Sequence, residues 1–153
     1  MISSDRKIEN SEKDLISWDP KFAIGIEVID QQHKFLIELC AKLNKSILEK
    51  NETEDKWRSH MIEALKSCVE YVKVHFSDEE NIMKKYNYPN YKEHKARHDE
   101  FTMKVITTSG KFSDMNRTEA LRFVHFLYDW ILSHVAHEDK QISVYLQSLK
   151  NIV

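Results

Sequence analysis

Glycine and proline are scarce in this chain, two of each in 153 residues. So few turn-formers cannot punctuate many short strands, which argues against a sandwich or barrel and for long helices with few loops. Cysteine is equally rare: Cys40 and Cys68 are the only two. Both fall within helical apolar patterns and read as buried free thiols of a cytoplasmic protein in a reducing compartment. No apolar run approaches the ~20 residues needed to span a bilayer, so no membrane role is expected. The opening MISSDRKIEN is polar and lacks the apolar stretch of a secretory signal. Neither sign of charge dominates. With 23 basic and 25 acidic residues the formal charge is -2, which gives no reason to expect a nucleic-acid partner.

What the chain does have is helical periodicity over a length suited to one domain. Residues 1–17 read as a flexible, charged N-terminal tail and 18–153 as a single helical domain. The stretch 18–29 carries Trp18, Phe22, Ile24, Ile26, Val28 and Ile29 but also Pro20 and Gly25. It reads as an extended arm packed on the body. A first helix is predicted from Asp30, a good N-cap, to about Lys50, with His33, Leu36, Ile37, Cys40, Leu43 and Ile47 on one face. A second is predicted from about Asp55 to Tyr86 and stopped by Asn87-Tyr88-Pro89. The third spans about Asn90 to Thr108. The fourth starts near Asn116, where Asn116 and Glu119 have capping-box spacing. Four helices with short links imply an all-α, up-down-up-down four-helix bundle with an extended N-terminal arm.

The inner faces of these helices hold histidine. His33 lies on the first, His75 and Glu79 on the second, His94 and His98 on the third, His134 on the fourth. The pairs His75/Glu79 and His94/His98 are spaced i,i+4, so each projects from one helix face toward one point. A single histidine on an apolar stripe is usually a hydrogen-bonded core residue. Five of the eight histidines turned inward, with at least one on every helix, are a different matter. Burying so many polar rings is unfavourable unless they share a partner, and a metal centre is such a partner. Imidazole with carboxylate suits borderline transition metals such as iron. His125 should face away from this stripe, and His60 lies far along its helix toward the bundle end. His137 sits beside His134 at i+3. For a carboxylate on the fourth helix, regular geometry favours Glu138 at i+4 from His134. Asp139, at i+5, could join only if the helix widened locally into a π-turn.

At this point the chain resembles the hemerythrins, in particular their bacterial stand-alone kind. The matching stretches are Trp18, Gly25-Ile26, Asp30-Gln31-Gln32-His33 and His75-Phe76-Ser77-Asp78-Glu79-Glu80. They continue with His94 and His98 ahead of Phe101, and with Trp130 ahead of His134 and Asp139. The resemblance implies two non-haem iron ions, one held by His94, His98 and His134 and the other by His33 and His75. Glu79 and Asp139 bridge them, together with a hydroxo or oxo group. It is the resemblance, not the spacing, that selects Asp139 over Glu138. This ligand count leaves one of about twelve octahedral positions open, on the iron with two histidines. The implied activity is reversible O2 binding by a carrier, reservoir or delivery protein that is not an enzyme. An O2 sensor or scavenger would use the same site, and a protein partner for delivery or signalling is left open. The open position calls for an apolar pocket, for which Ile37, Phe101, Trp130 and Ile131 are the candidates, each about one turn from a ligand. Ferritin-like iron oxidation or storage is the rival, but no histidine here has a glutamate three residues before it.

Overall fold

The computed structural model describes residues 18–49 and 53–150. The tail expected over 1–17, and most of the link between the first two helices, lie outside the described residues. Within them the chain is helical throughout, with no strand. After a 3-10 turn at Pro20–Phe22, α1 runs Glu27–Leu48, α2 Glu54–Lys85 and α3 Tyr91–Ser109. A second 3-10 turn, Phe112–Asp114, leads to α4, Arg117–His134. A π-turn at Val135–Asp139 carries α4 without a break into α5, Lys140–Lys150. The helices form the expected four-helix bundle, α1 packing on α2 and α4, and α2 on α3.

The ends of the helices follow local chemistry. Thr53 caps α2, its hydroxyl accepting from the Lys56 amide at 3.4 Å, which starts the helix one residue before the predicted Asp55. Asn116 caps α4 by accepting from the Glu119 amide at 2.8 Å, the bond its spacing predicted. α2 ends at Lys85 with Tyr86 as its C-cap, and Asn87 turns the chain with a left-handed backbone (φ 53°) ahead of Pro89.

The arm departs from expectation. It is not extended throughout, because Pro20–Phe22 forms a 3-10 turn with Asp19 accepting from the Lys21 amide. Nor is Asp30 the cap of α1, which begins three residues earlier at Glu27. Asp30 lies in the first helical turn and folds its carboxylate back onto the arm, accepting from the Ile24 amide at 2.8 Å and the Gly25 amide at 3.1 Å. A carboxylate there also suits the positive end of the helix dipole. Gly25 makes the turn with φ +88°, a conformation that side-chain-bearing residues rarely adopt. Ser143 of α5 donates to the Ile24 carbonyl and ties the arm to the far end of the chain.

The core is apolar at one end of the bundle, where Ile47, Trp57, Met61, Leu65, Phe112 and Val124 are buried. Cys40 and Cys68 are free and buried within it. Burial, with Cys68 nearby, pushes the Cys40 thiol far up, and burial alone pushes Cys68 up to about 11, so neither offers a thiolate at neutral pH. Toward the middle the character changes: His33, His75, Glu79, His94, His98, His134 and Asp139 are all at most 4% exposed.

Candidate metal centre

Each of these seven side chains reaches the middle for a local reason. On α2, His75 and Glu79 are one turn apart on the stripe that also buries Val72, Phe76 and Met83. On α3, His94 and His98 continue into Phe101 and Val105. His33 lies on the buried face of α1 with Leu36 and Ile37. His134 ends α4, and the π-turn that follows turns Asp139 to the inside, where it is fully buried. Widening the helix by one residue cancels the angular error of the i,i+5 spacing. Glu138, the residue regular geometry favoured, points outward and pairs with Arg97.

The Nε2 atoms of the histidines converge. His134 Nε2 is 3.0 Å from His94 Nε2 and 3.0 Å from His98 Nε2. Two donors on one ion at right angles, with bonds of about 2.1 Å, stand about 3 Å apart, so this spacing is that of neighbouring ligands. Glu79 Oε1 lies 2.6 Å from His94 Nε2 and 3.2 Å from His98 Nε2, while its Oε2 faces His75 Nε2 at 3.4 Å. Asp139 divides in the same way: Oδ1 is 3.0 Å from His134 Nε2 and Oδ2 is 3.0 Å from His33 Nε2. The seven residues therefore form two overlapping donor sets, Glu79/His94/His98/His134/Asp139 and His33/His75/Glu79/Asp139, which share only the two carboxylates.

Several donors are left unsatisfied by protein. His33 Nε2, Glu79 Oε2 and both oxygens of Asp139 are buried without a hydrogen-bond partner. Orphaned acceptors in a closed core are costly, and a cation is the group that satisfies them together. The charges respond to the crowding. Burial and the Asp139 charge would raise Glu79, but hydrogen bonds from His134, His94 and His98 hold it at about 2. Burial disfavours a charged His134, yet the Asp139 and Glu79 carboxylates outweigh this and push it up to about 10; they raise His94 against burial too. His75 goes the other way, burial taking it down to about 4 despite Glu79.

Outer groups hold the rings in place. His75 Nδ1 donates to Gln32 Oε1 at 2.7 Å, and Gln32 Nε2 donates to Asp78 at 2.7 Å. The acceptor-only Asp78 orients the amide, which leaves an oxygen facing the ring. His75 then carries its proton on Nδ1 and turns the Nε2 lone pair to the cluster. Glu80 lies 3.7 Å from His98 Nδ1 and Glu138 3.7 Å from His134 Nδ1. Phe76 stacks on His98 with centroids 3.8 Å apart, and Trp130 on His134 at 4.5 Å.

Beside the cluster lies a small cavity of about 10 Å³, walled by Leu36, Val72, Phe76, Phe101, Trp130, Ile131 and Val135 and touching His33, His75, His134 and Asp139. Its size is at the lower limit for one water, and its apolar wall gives a water little to bond. Of the four residues the sequence offered for an apolar pocket, Phe101, Trp130 and Ile131 line this cavity. Ile37 does not line this wall; it is fully buried in the core, and Leu36, one residue earlier, faces the cavity instead. Sequence reasoning missed Gln32, Asp78, Val72 and Val135, of which only Val72 and Val135 carried a signal, as neighbours of ligands on the apolar stripes. Among the other histidines, His60 and His137 are exposed. His125 is half-buried rather than on the surface, its Nε2 2.9 Å from Asn44 Oδ1 of α1.

Comparison with known proteins bears on this geometry directly. Residues 24–146 match the Hemerythrin HHE cation binding domain. The chain belongs to the hemerythrin family. Among curated hemerythrins it is 28% identical to the bacteriohemerythrin of Clostridium acetobutylicum, across 81% of this chain and 95% of that protein. It is 30% identical to the bacteriohemerythrin of Stenotrophomonas maltophilia, across 82% and 78%. A crystal structure of wild-type hemerythrin superposes with a TM-score of 0.70 at 28% identity, covering 84% of this chain and 95% of that one. The hemerythrin match spans all seven clustered residues.

Proposed function

We propose that this chain binds O2 reversibly at a non-haem di-iron centre, as an oxygen carrier, reservoir or delivery protein. His94, His98 and His134 would hold one iron, His33 and His75 the other, with Glu79 and Asp139 bridging. The observation that carries the proposal is the division of seven buried donors into two sets with two carboxylates in common. The hemerythrin match supports iron and O2 as the metal and ligand. When bound, a ferrous pair supplies the electrons and the open coordination position that O2 requires.

The chain's own residues do the rest. Three histidines against two make the pair unequal, which leaves room on the His33/His75 side, and the apolar cavity touches both of those rings. Gln32 fixes the tautomer of His75 there. Phe76, Phe101, Trp130 and Ile131 exclude water and loose protons, which would otherwise promote irreversible oxidation. His137 is exposed and does not line the cavity. Two carboxylates against five imidazoles do not make the carboxylate-rich site of ferritin-like oxidation.

The test is anaerobic reconstitution with ferrous iron followed by repeated cycles of air and vacuum. A visible band that appears and disappears without loss over many cycles is expected. Two irons per chain with a band that forms once and cannot be reversed would overturn the reading.

A further inference from the structure

One residue in the lining of the inner cavity reaches solvent. Of the residues that line it, all are buried except Trp130, which is half-exposed. Between α3 and α4 the same indole also lines an open cleft of about 460 Å³. Cavity and cleft share three lining residues, Phe101, Trp130 and His134. Phe101 and His134 are buried, and the indole lies stacked on both, with centroids 3.9 Å from Phe101 and 4.5 Å from His134. His134 is fixed by the cluster and cannot yield, and Phe101 is held by Phe76 and Phe126 as well. Trp130 also meets Phe76 edge-on at 5.8 Å, but of the three it alone is part-exposed, and the cleft it lines offers room for the ring to turn.

We propose that Trp130 is the port for small apolar ligands: the indole swings into the α3–α4 cleft, admits one diatomic molecule to the cavity and closes again. The other residues that line the cavity are all buried. The port also selects. Its inner side is aromatic and aliphatic, so a molecule crossing it must shed its hydration, which an apolar gas does at no cost and a hydrated ion does not. The rim of the cleft is polar, with Arg97, Glu100 and Lys104, and keeps that water outside. This inference rests on the O2 reading for its ligand, but the motion of the ring does not.

Two measurements test it separately. The first follows O2 association with the iron-loaded protein by stopped flow. Trp130→Ala should raise the association rate at least about tenfold, a modest drop in barrier. Ser133→Trp fills the cleft from the exposed side, leaves the cavity wall intact and should lower the rate by a similar factor. Rates unchanged in both variants overturn the port; Ser133→Trp decides alone if Trp130→Ala does not fold. The second labels the tryptophans with 5-fluorotryptophan, with Trp130→Phe assigning the resonance. The Trp130 fluorine should show microsecond-to-millisecond exchange, and that of buried Trp57 none. A Trp130 signal without exchange overturns the swinging ring whether or not the protein binds O2. A chain that never binds O2 but shows the exchange refutes the ligand reading and keeps the port.

Discussion

The His75 imidazole divides its two nitrogens between separate duties, Nε2 toward the centre and Nδ1 toward Gln32 of the scaffold. The inner nitrogens make a prediction about protons. Before metal binds, His134 is held up to about 10 and His94 is raised, by the carboxylates that outweigh their burial. At pH 7 the His134 ring therefore carries a proton that a metal must displace. Calorimetric titration in buffers of different ionisation enthalpy should show net proton release on metal binding, and affinity that falls as pH is lowered. Binding without proton exchange would contradict those assignments. The carboxylates make another. Glu79 faces donors of both sets, so Glu79→Ala should lose both irons together, as read by iron per chain; a stable one-iron product would contradict its bridging role. The inward residues were legible in the sequence because metal-binding side chains must share faces at helical spacing. Their outer partners were not. Gln32 lies next to His33 in sequence yet serves His75, 43 positions away, and no periodicity announces a contact across two helices.

At the level of single elements, the π-turn Val135–Asp139 decides which carboxylate belongs to the cluster. Glu138→Gln should keep two irons per chain, because its carboxylate pairs with Arg97 on the outer face, whereas Asp139→Asn should lose them. Equal iron content in the two variants would remove the turn's role. Helix order and caps were readable from propensity and periodicity; this turn was not. Val135-Ala136-His137-Glu138 contains no helix breaker, and only the family resemblance required the extra residue. The arm was misread for a related reason: Asp30 is a good cap by type, but its carboxylate is used by the Ile24 and Gly25 amides, so α1 starts earlier. A polar link between α1 and α4, Asn44 with His125, also escaped the sequence, since His125 lies off the apolar stripe. Asn44→Ala should destabilise the fold by about 1 kcal/mol in chemical denaturation, the net worth of a hydrogen bond to a half-buried partner.

Taken whole, the molecule gathers its seven inner donors from all four arms of the bundle and from no single hairpin. Metal bound there joins helices that have no disulfide among the described residues. With free ion about a thousandfold above its Kd, the stabilisation is about 4 kcal/mol, or roughly 8–16 °C in Tm for a chain of this length. Scanning calorimetry of iron-loaded and iron-free protein measures it, and coincident melting curves would show that metal and fold are uncoupled. The same dependence reaches beyond stability. A bundle whose centre is a crowd of stranded acceptors opens more often when iron is short, and proteases cut chains that open. With iron at the proposed centre, iron supply would then set how long each copy survives: starved copies would be cleared, and the pool retained would be the pool able to work.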